Sequence, residues 1–333
     1  MSSRPRSVRI RDVAAVAKVD PSIVSRILSG DEQLSVRAET RQRVLDAVER
    51  LQYRPNRAAR MLRTSRTMAL GIIVPDLTNA TYAEISRGAD AESAERGYIL
   101  LVVAGSLFDR LQLLDGRVDG LLYAIATSEP LERVRVPEAP PSLLVNRHEP
   151  GMGPSVTVDD ESAAALATAH LADLGHTRIG HISGPPHVDT SRRRASGFAG
   201  ELTRRGIVIA ADLIVPSTFD ERAGHAAATE LLTRRPRPTA ILVANTRAAI
   251  GAVAAASSLD ISIPEDLSIV GFDDIPVAEF LVPPLTTLRR PLAPMGARAV
   301  QLLLELIEGR SVSSEMLEAT SELVLRGSTA PPR

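Results

Sequence analysis

Residues 267–272 read Leu267-Ser268-Ile269-Val270-Gly271-Phe272, a short apolar run typical of a buried strand. Similar runs precede it at Ala69–Val74, Tyr98–Val103, Gly120–Ile125, Ser142–Val145, Arg178–Ile182, Leu213–Val215 and Thr239–Val243. Amphipathic segments typical of helices alternate with these runs, near residues 81–96, 160–174, 191–205, 219–234, 246–258 and 292–308. Buried strands that alternate with helices predict parallel sheets covered on both faces. Because the runs are too many for one ordinary sheet, we expect an α/β body of two doubly wound lobes, with ligands bound beyond the carboxyl ends of the strands.

The composition restricts the class of protein. Of 333 residues, 44% are hydrophobic, and no run reaches the roughly 18–20 apolar residues that span a membrane. The N-terminus is polar and arginine-rich, unlike a secretory signal. The chain has no cysteine, which excludes disulfides and thiolate metal sites. We therefore expect a cytoplasmic protein without a membrane partner.

The charge is distributed unevenly along the chain. Residues 1–66 contain fifteen Lys or Arg and seven Asp or Glu, a net charge of +8, whereas the remaining residues contain 24 and 33, a net charge of −9. A small basic head on an acidic body is expected when only one end of the chain meets a polyanion. A disordered basic tail would have the same charge, so the residue pattern has to decide.

The basic head has the pattern of three short helices. Apolar residues recur at helical spacing at Ile10, Val13, Ala14, Val16 and Ala17, then at Val24, Ile27 and Leu28, then at Val44, Leu45, Val48 and Leu51. Asp20 and Pro21 mark the start of the second helix, because Asp20 can accept hydrogen bonds from free backbone N–H groups and Pro21 has none to leave unpaired. The pattern predicts a helix-turn-helix unit or another small helical domain. In a helix-turn-helix unit, Arg26 would be placed to contact guanine in the major groove.

A basic segment follows the third helix. After Pro55 it can form about two helical turns, too few to be stable alone in water, so we expect it to order only on DNA phosphates. Together with the helices before it, this segment resembles the LacI/GalR family of bacterial repressors. The matching strings are Asp12-Val13-Ala14, Val24-Ser25-Arg26, Thr40-Arg41, Arg43-Val44 and Tyr53-x-Pro55-Asn56-x-x-Ala59-Arg60-x-Leu62.

The resemblance implies how the head binds DNA. The second helix would enter the major groove, and residues 55–63 would form a hinge helix in the minor groove, where Leu62 wedges a base step open. The implied DNA-binding residues are Arg9, Arg11, Pro21, Ser22, Ser25, Arg26, Ser29, Arg37, Tyr53, Asn56, Arg57, Ala59 and Leu62.

The sequence departs from the family pattern at several positions. Lys18 stands where the turn between the first two helices usually has glycine, so a left-handed backbone there would cost about 1 kcal/mol. Asp160 stands where asparagine is usual, and the stretch from Val102 to Val118 is shorter than usual. These departures predict an operator sequence different from those of relatives, and an effector that is unusual, weakly bound or absent.

The resemblance continues through the body. The matching strings are Gly71-Ile72-Ile73-Val74-Pro75-Asp76, Val118-Asp119-Gly120, His170-Leu171-x-x-Leu174-Gly175-His176, Arg194-x-x-Gly197-Phe198, Pro264-Glu265-Asp266-x-Ser268-Ile269-Val270-Gly271-Phe272-Asp273-Asp274 and Pro284-Leu285-Thr286-Thr287. They imply a periplasmic-binding-protein-like pair of lobes. The expected domains are a headpiece over residues 1–66, an effector-binding and dimerisation body over 67–333, an N-lobe over about 67–160 and 290–319, and a C-lobe over about 161–289 and 320–330.

The implied activity is transcriptional regulation, with repression as the family default. A homodimer would bind a pseudo-palindromic double-stranded DNA operator, and a small polar effector such as a sugar would change its affinity by binding between the lobes. The implied effector-binding residues are Thr81, Tyr82, Arg147, Asp159, Arg194, Phe219, Asn245 and Asp273. Such residues suit a polyhydroxylated ligand, because Asp, Asn and Arg exchange hydrogen bonds with hydroxyls and aromatic rings offer a flat face.

Two other classes have less support. An enzyme would need a catalytic constellation, and the sequence has no phosphate-binding glycine loop and no nucleophile elbow. Four histidines lie close together, at His170, His176, His181 and His187, but their spacing does not place a pair on one helical turn. We therefore expect no catalytic residue, cofactor or metal site. A transport-system binding protein would share the two lobes but would need an export signal.

Overall fold

The computed structural model describes residues 8–28, 34–53, 66–105, 114, 116–124 and 140–333. The chain divides into two compact units, Met1–Arg66 and Thr67–Arg333. Within these described ranges, no helix is long and apolar enough to cross a membrane.

The first unit contains the three expected helices: α1 at Ile10–Ala17, α2 at Pro21–Leu28 and α3 at Ala38–Arg50. Its core consists of Val13, Ala14, Ala17, Val24, Ile27, Val44 and Ala47. As predicted, Asp20 caps α2, because its carboxylate accepts a hydrogen bond from the backbone N–H of Ser22 at 2.8 Å. The predicted apolar stripes were wrong at Val16 and Leu45, which are 41% and 42% exposed. At about 100° per residue, both positions lie just outside the buried face of their helix.

The turn after α1 has a left-handed backbone at Lys18, the position where the family usually has glycine. Lys18 ends the helix at φ 53° and ψ 49°, and its N–H bonds to the carbonyls of Ala14 and Ala15. A Cβ in this region costs roughly 1–2 kcal/mol. The turn therefore forms against the conformational preference of its central residue.

Lys18→Gly is expected to stabilise this turn by about 1 kcal/mol relative to Lys18→Ala. Both substitutions remove the same charge, but only glycine adopts the observed φ without a steric cost. Hydrogen–deuterium exchange of the α1 and α2 amides in the full chain measures the difference. Equal exchange in the two variants would show that the turn is not strained.

The described residues of the second unit form two six-stranded sheets. The first sheet consists of β1 (Ala69–Val74), β2 (Ile99–Ala104), β3 (Gly120–Tyr123), β4 (Ser142–Val145), β5 (Ser155–Thr157) and β11 (Glu315–Met316). Its order is β11-β5-β4-β3-β1-β2, with every pair parallel. The second sheet consists of β6 (Ile179–Ser183), β7 (Ile214–Pro216), β8 (Ala240–Val243), β9 (Ser268–Phe272), β10 (Thr286–Arg289) and β12 (Glu322–Val324). Its order is β12-β10-β9-β8-β6-β7, and β12 is antiparallel to β10 while the other pairs are parallel.

Helices cover both sheets. They are α4 (Ala80–Glu95), α5 (Asp160–Asp173), α6 (Asp189–Arg204), α7 (Glu221–Thr233), α8 (Thr246–Ser258) and α9 (Leu292–Ile307), with short 3₁₀ turns at Ala211–Leu213 and Pro276–Phe280. Apolar residues of α4 and α9 pack on the first sheet. Those of α7 and α8 pack on one face of the second sheet, and those of α5 and α6 on the other. The predicted fold of two doubly wound lobes is confirmed.

Within residues 140–333, the chain passes between the sheets three times. It crosses between β5 and α5, between β10 and α9, and between β11 and β12. Parallel strands of both sheets end where these crossings occur, and side chains that follow the strands can therefore meet there.

Candidate effector-binding cleft and DNA-binding surface

One cavity lies at the carboxyl ends of the strands and is lined from both lobes. Residues that directly follow strands β4, β8, β9 and β10 contribute to it, as do the first turns of α4 and α6. Its lining is Asn79, Thr81, Tyr82, Asn146, Arg147, Thr190, Arg194, Phe219, Asn245, Asp273 and Arg290. This placement matches the usual ligand position of open α/β sheets.

The structure brings seven of the eight proposed effector residues to this cavity: Thr81, Tyr82, Arg147, Arg194, Phe219, Asn245 and Asp273. The eighth, Asp159, is not in its lining. Asp159 caps α5 instead, and its carboxylate accepts from the backbone N–H and the hydroxyl of Ser162 at 2.9 and 2.6 Å. The sequence reasoning did not include Asn79, Asn146, Thr190 or Arg290. The effector contacts of the seven predicted residues stay predictions.

Asp160 anchors a buried charge cluster beside the cavity. It is fully buried, and its carboxylate lies 2.8 Å from Arg194 Nε, 3.1 Å from Arg290 Nη1 and 2.7 Å from Arg193 Nη1. Burial alone would raise the pKa of Asp160, but the three guanidinium groups outweigh it and hold the pKa below its ordinary value. Asp160 is therefore ionised at neutral pH and joins the crossover before α5 to the crossover after β10.

Asp273 forms the second carboxylate of the cluster. It accepts hydrogen bonds from the Thr81 hydroxyl and from Arg290 Nε, both at 2.7 Å. Burial would raise its pKa as well, and the charges of Arg290 and Arg194 lower it below the ordinary value. Because Thr81 belongs to the first lobe and Asp273 to the second, this carboxylate links the lobes.

Arg194, besides its ion pair with Asp160, and Arg147 also contact neutral groups. Arg194 lies over the Phe272 ring at 4.4 Å from its centroid and donates to the carbonyl of Ala244. Arg147 donates to the Tyr82 hydroxyl at 3.0 Å and to the Ala124 carbonyl at 3.2 Å. These contacts fix both guanidinium groups at the cavity wall.

Three cavity residues have a left-handed backbone: Asn146 at φ 67°, Phe219 at φ 65° and Asp273 at φ 70°. Asparagine and aspartate tolerate this region, whereas a phenylalanine there is an outlier. Gly184 accommodates Phe219, since a Cβ on Gly184 would lie 2.0 Å from the tip of the ring. Strain of this kind is concentrated at binding and catalytic sites.

The lobes are closed on the cavity. Its volume is about 20 Å³, the scale of a water molecule rather than of a sugar. Further contacts cross between the lobes, among them Arg247 Nη1 with Asp76 at 2.7 Å, and the backbone N–H of His148 with Asp189 at 3.0 Å. Binding of a larger molecule therefore requires the lobes to part.

The clustered histidines contact neutral groups. His176 bonds to Thr239, Ser268 and the carbonyl of Ala330, and His170 bonds to Thr329. Burial lowers the pKa of His181 to about 4, and its ring bonds to the Leu242 carbonyl and stacks on Phe198. The residues that the structure describes contain no group of three side chains suited to a metal ion.

The candidate DNA-binding residues fall into two sets. In the described part of the first unit, Arg9, Arg11, Ser22, Arg26 and Arg37 are exposed, and Pro21, Ser25 and Tyr53 are partly exposed. Arg9 and Arg11 lie at the start of α1, Ser22 and Arg26 lie on α2, and Arg37 precedes α3. Ser29, Asn56, Arg57, Ala59 and Leu62 lie outside the described residues, as does the expected hinge helix.

Comparisons with known proteins agree with both units. The family model of bacterial regulatory proteins of the lacI family matches residues 9–56, and the periplasmic binding protein-like domain matches residues 168–329. The catabolite control protein A of Priestia megaterium is 32% identical over 97% of this chain and 99% of its own length. The solved lac repressor dimer, bound to operator and the anti-inducer ONPF, has a TM-score of 0.84 and 27% identity over 98% of this chain and all of its own. The transcriptional regulator CelR in complex with cellobiose has a TM-score of 0.73 and 29% identity, again over 98% of this chain and all of its own.

A helix-turn-helix unit joined to a two-lobed α/β body defines the class of DNA-binding transcriptional regulators. Within that class, the chain belongs to the lacI family of bacterial regulatory proteins.

Proposed function

We propose that this regulator binds a pseudo-palindromic operator as a homodimer and represses transcription until a small polar effector binds between its lobes. The headpiece of residues 1–66 contacts DNA, with a hinge helix at about 55–63, and the body of residues 67–333 senses the effector. The observation that carries the proposal is the cavity, where residues of both lobes meet around buried arginines and carboxylates. An effector changes operator affinity only if it binds the open and closed bodies differently.

The lobe contacts supply that difference. Thr81 with Asp273 and Asp76 with Arg247 hold the closed form, and a molecule of sugar size has to disrupt the packing at the cavity to enter. Relatives bind ligands of this size, since CelR is solved with cellobiose. Sugar binding that leaves operator affinity unchanged would contradict the proposed switch.

The DNA half of the proposal is tested on an operator selected from random double-stranded DNA. The full chain should bind this duplex as a dimer, with a mass near twice 35.6 kDa for the free protein by light scattering. Exposed apolar side chains at Val277, Phe280 and Val282 suit such an interface. A monomer at micromolar concentration would exclude the symmetric arrangement.

We expect DNA binding in the cytoplasm and no turnover of the bound effector.

Arg26→Ala is expected to reduce the preference for the selected operator over random DNA by about 10- to 100-fold. Arg26 is exposed on α2. A bidentate arginine–guanine contact discriminates against the wrong base, whereas a phosphate contact does not. Fluorescence anisotropy with both duplexes measures the ratio.

Arg50→Ala is the matched control, because it removes the same charge from an exposed position on α3. It should weaken binding to both duplexes by a similar factor or leave both unchanged. If Arg26→Ala behaves like Arg50→Ala, then Arg26 does not read a base.

A further inference from the structure

The cavity carries more buried positive than negative charge. Three guanidinium groups line it, those of Arg147, Arg194 and Arg290, and each is at most 5% exposed. The carboxylates in direct contact with these arginines are those of Asp160 and Asp273, and both are buried. Both are ionised, as argued above, so the buried set has an excess of one positive charge.

The surrounding charges do not cancel this excess. Arg193 contacts Asp189 at 3.0 Å and Asp160 at 2.7 Å. Arg193 and Asp189 carry opposite charges, so including both in the count leaves an excess of one positive charge. At the rim, Arg247 lies between Asp76 and Glu221, whose side chains are both 43% exposed and screened by water. The unmatched charge therefore stays inside the cavity.

Arg147 carries that unmatched charge. Its hydrogen bonds go to the Ala124 carbonyl and the Tyr82 hydroxyl, both neutral, and it forms no ion pair within the described part of the chain. A buried charge without a counter-charge is strongly unfavourable. A ligand that carries the opposite charge would offset this cost.

Two guanidinium nitrogens also lack acceptors. Arg147 Nη1 and Arg290 Nη2 are fully buried, and neither has a hydrogen-bond partner among the residues described. Both side chains line the same cavity. Guanidinium groups bind carboxylate and phosphate oxygens in preference to hydroxyls, because the hydrogen bonds are charge-assisted.

We propose that the effector is a small hydroxylated anion whose phosphate or carboxylate oxygens bind Arg147 and Arg290. This inference rests on the proposed function of the cleft and narrows its ligand class. Asp273, Asn245 and Asn146 offer acceptors and donors for hydroxyls, and Phe219 offers a ring face. The ligand's negative charge offsets the excess at Arg147, so an anion is bound more tightly than its neutral counterpart.

The test compares matched neutral and anionic probes on the full-length protein at constant ionic strength. Calorimetry and thermal-shift assays would use ribose with ribose 5-phosphate, glucose with glucose 6-phosphate and gluconate, and inorganic phosphate alone. At least one sugar anion should bind at least 10-fold more tightly than its neutral partner. The phosphate and gluconate arms distinguish a phosphate from a carboxylate ligand.

Variants of Arg147 test whether this side chain causes the preference for anionic over neutral sugars. Arg147→Met should abolish the difference between anion and neutral sugar, and Arg147→Lys, which keeps the charge but not the planar fork, should retain part of it. Arg204→Met is the control, since the Arg204 side chain is 66% exposed outside the cavity and paired with Glu201. The control should bind all probes like the wild type.

The outcomes separate this inference from the proposed function. Neutral sugars that bind as tightly as the anions and release the operator would overturn the anion inference and leave the switch intact. A panel in which no anion binds also overturns it. Anions that bind but leave operator affinity unchanged would support the anion site and contradict the switch.

Discussion

Asp160→Asn is expected to lower the free energy of unfolding of the body by about 3–5 kcal/mol, although the side chain keeps its shape. Asp160 is fully buried and contacts Arg193, Arg194 and Arg290. A neutral amide leaves these guanidinium groups in a buried cluster with less negative charge, and arginine cannot lose its proton in response. Asparagine is the residue that the family resemblance leads one to expect here, so the cost depends on the arginines of this chain.

Urea unfolding at pH 7.5 measures the change, with Glu161→Gln as the matched control. Glu161 is the next residue on α5, is exposed and bonds only to the Ser196 hydroxyl among the contacts described. Its substitution should change stability by no more than about 0.5 kcal/mol. A loss of similar size in both variants would show that Asp160 is not the counter-charge of the cluster.

The fold was predictable from the sequence wherever a strand was long and apolar. Runs such as Ala69–Val74 and Leu267–Phe272 predicted strands that the structure contains, and the ends of the six predicted helices lie within two residues of the observed ones. The short strands β5, β10, β11 and β12 were not predicted. They have two to four residues and include polar ones, so their pairing depends on neighbouring strands rather than on a hydrophobic period.

The family resemblance named seven residues that line the cavity, but the residue pattern did not distinguish between adjacent side chains of the same type. Asp159 and Asp160 are adjacent carboxylates, and only the structure shows that the first caps α5 while the second is buried among arginines. Arg289 and Arg290 form a similar pair. The side chain of Arg289 is 54% exposed and bonds to Asp274, whereas that of Arg290 is buried at the cavity. Neighbouring side chains point in different directions, both at the start of a helix and along a strand, so the sequence does not reveal which member of either pair faces inward.

The missed residues share this cause. Asn146 precedes the predicted Arg147, and its amide oxygen accepts from Arg290 at 3.2 Å. That contact joins positions 144 residues apart, which no local pattern encodes. The charge excess that points to an anion is likewise a property of the assembled cavity, because its members come from both lobes.

Arg290→Gln is expected to destabilise the body by about 3–5 kcal/mol at neutral pH, and by less in acid. Arg290 lies 2.7 Å from Asp273 and 3.1 Å from Asp160, with no exposed side-chain surface. In the wild type, the pKa of Asp273 is lower in the folded protein than in the unfolded chain. The ionised Asp273 therefore stabilises the fold at pH values above its pKa in the unfolded chain, and this stabilisation is lost as the pH falls through its pKa in the folded protein. Without Arg290, burial remains and the pKa of Asp273 rises. Protonation then removes its unpaired charge, and the deficit shrinks between pH 7.5 and pH 5.

Asp160→Asn is the contrasting control, because it leaves arginines that do not titrate and its deficit should be the same at both pH values. Urea unfolding of both variants at pH 7.5 and pH 5 makes the comparison. The double variant, which combines Asp160→Asn with Arg290→Gln, should lose less than the sum of the single losses, since removing both partners leaves no unpaired charge between them. Equal deficits for Arg290→Gln at both pH values, together with additive losses in the double variant, would show that these groups do not act as a coupled cluster.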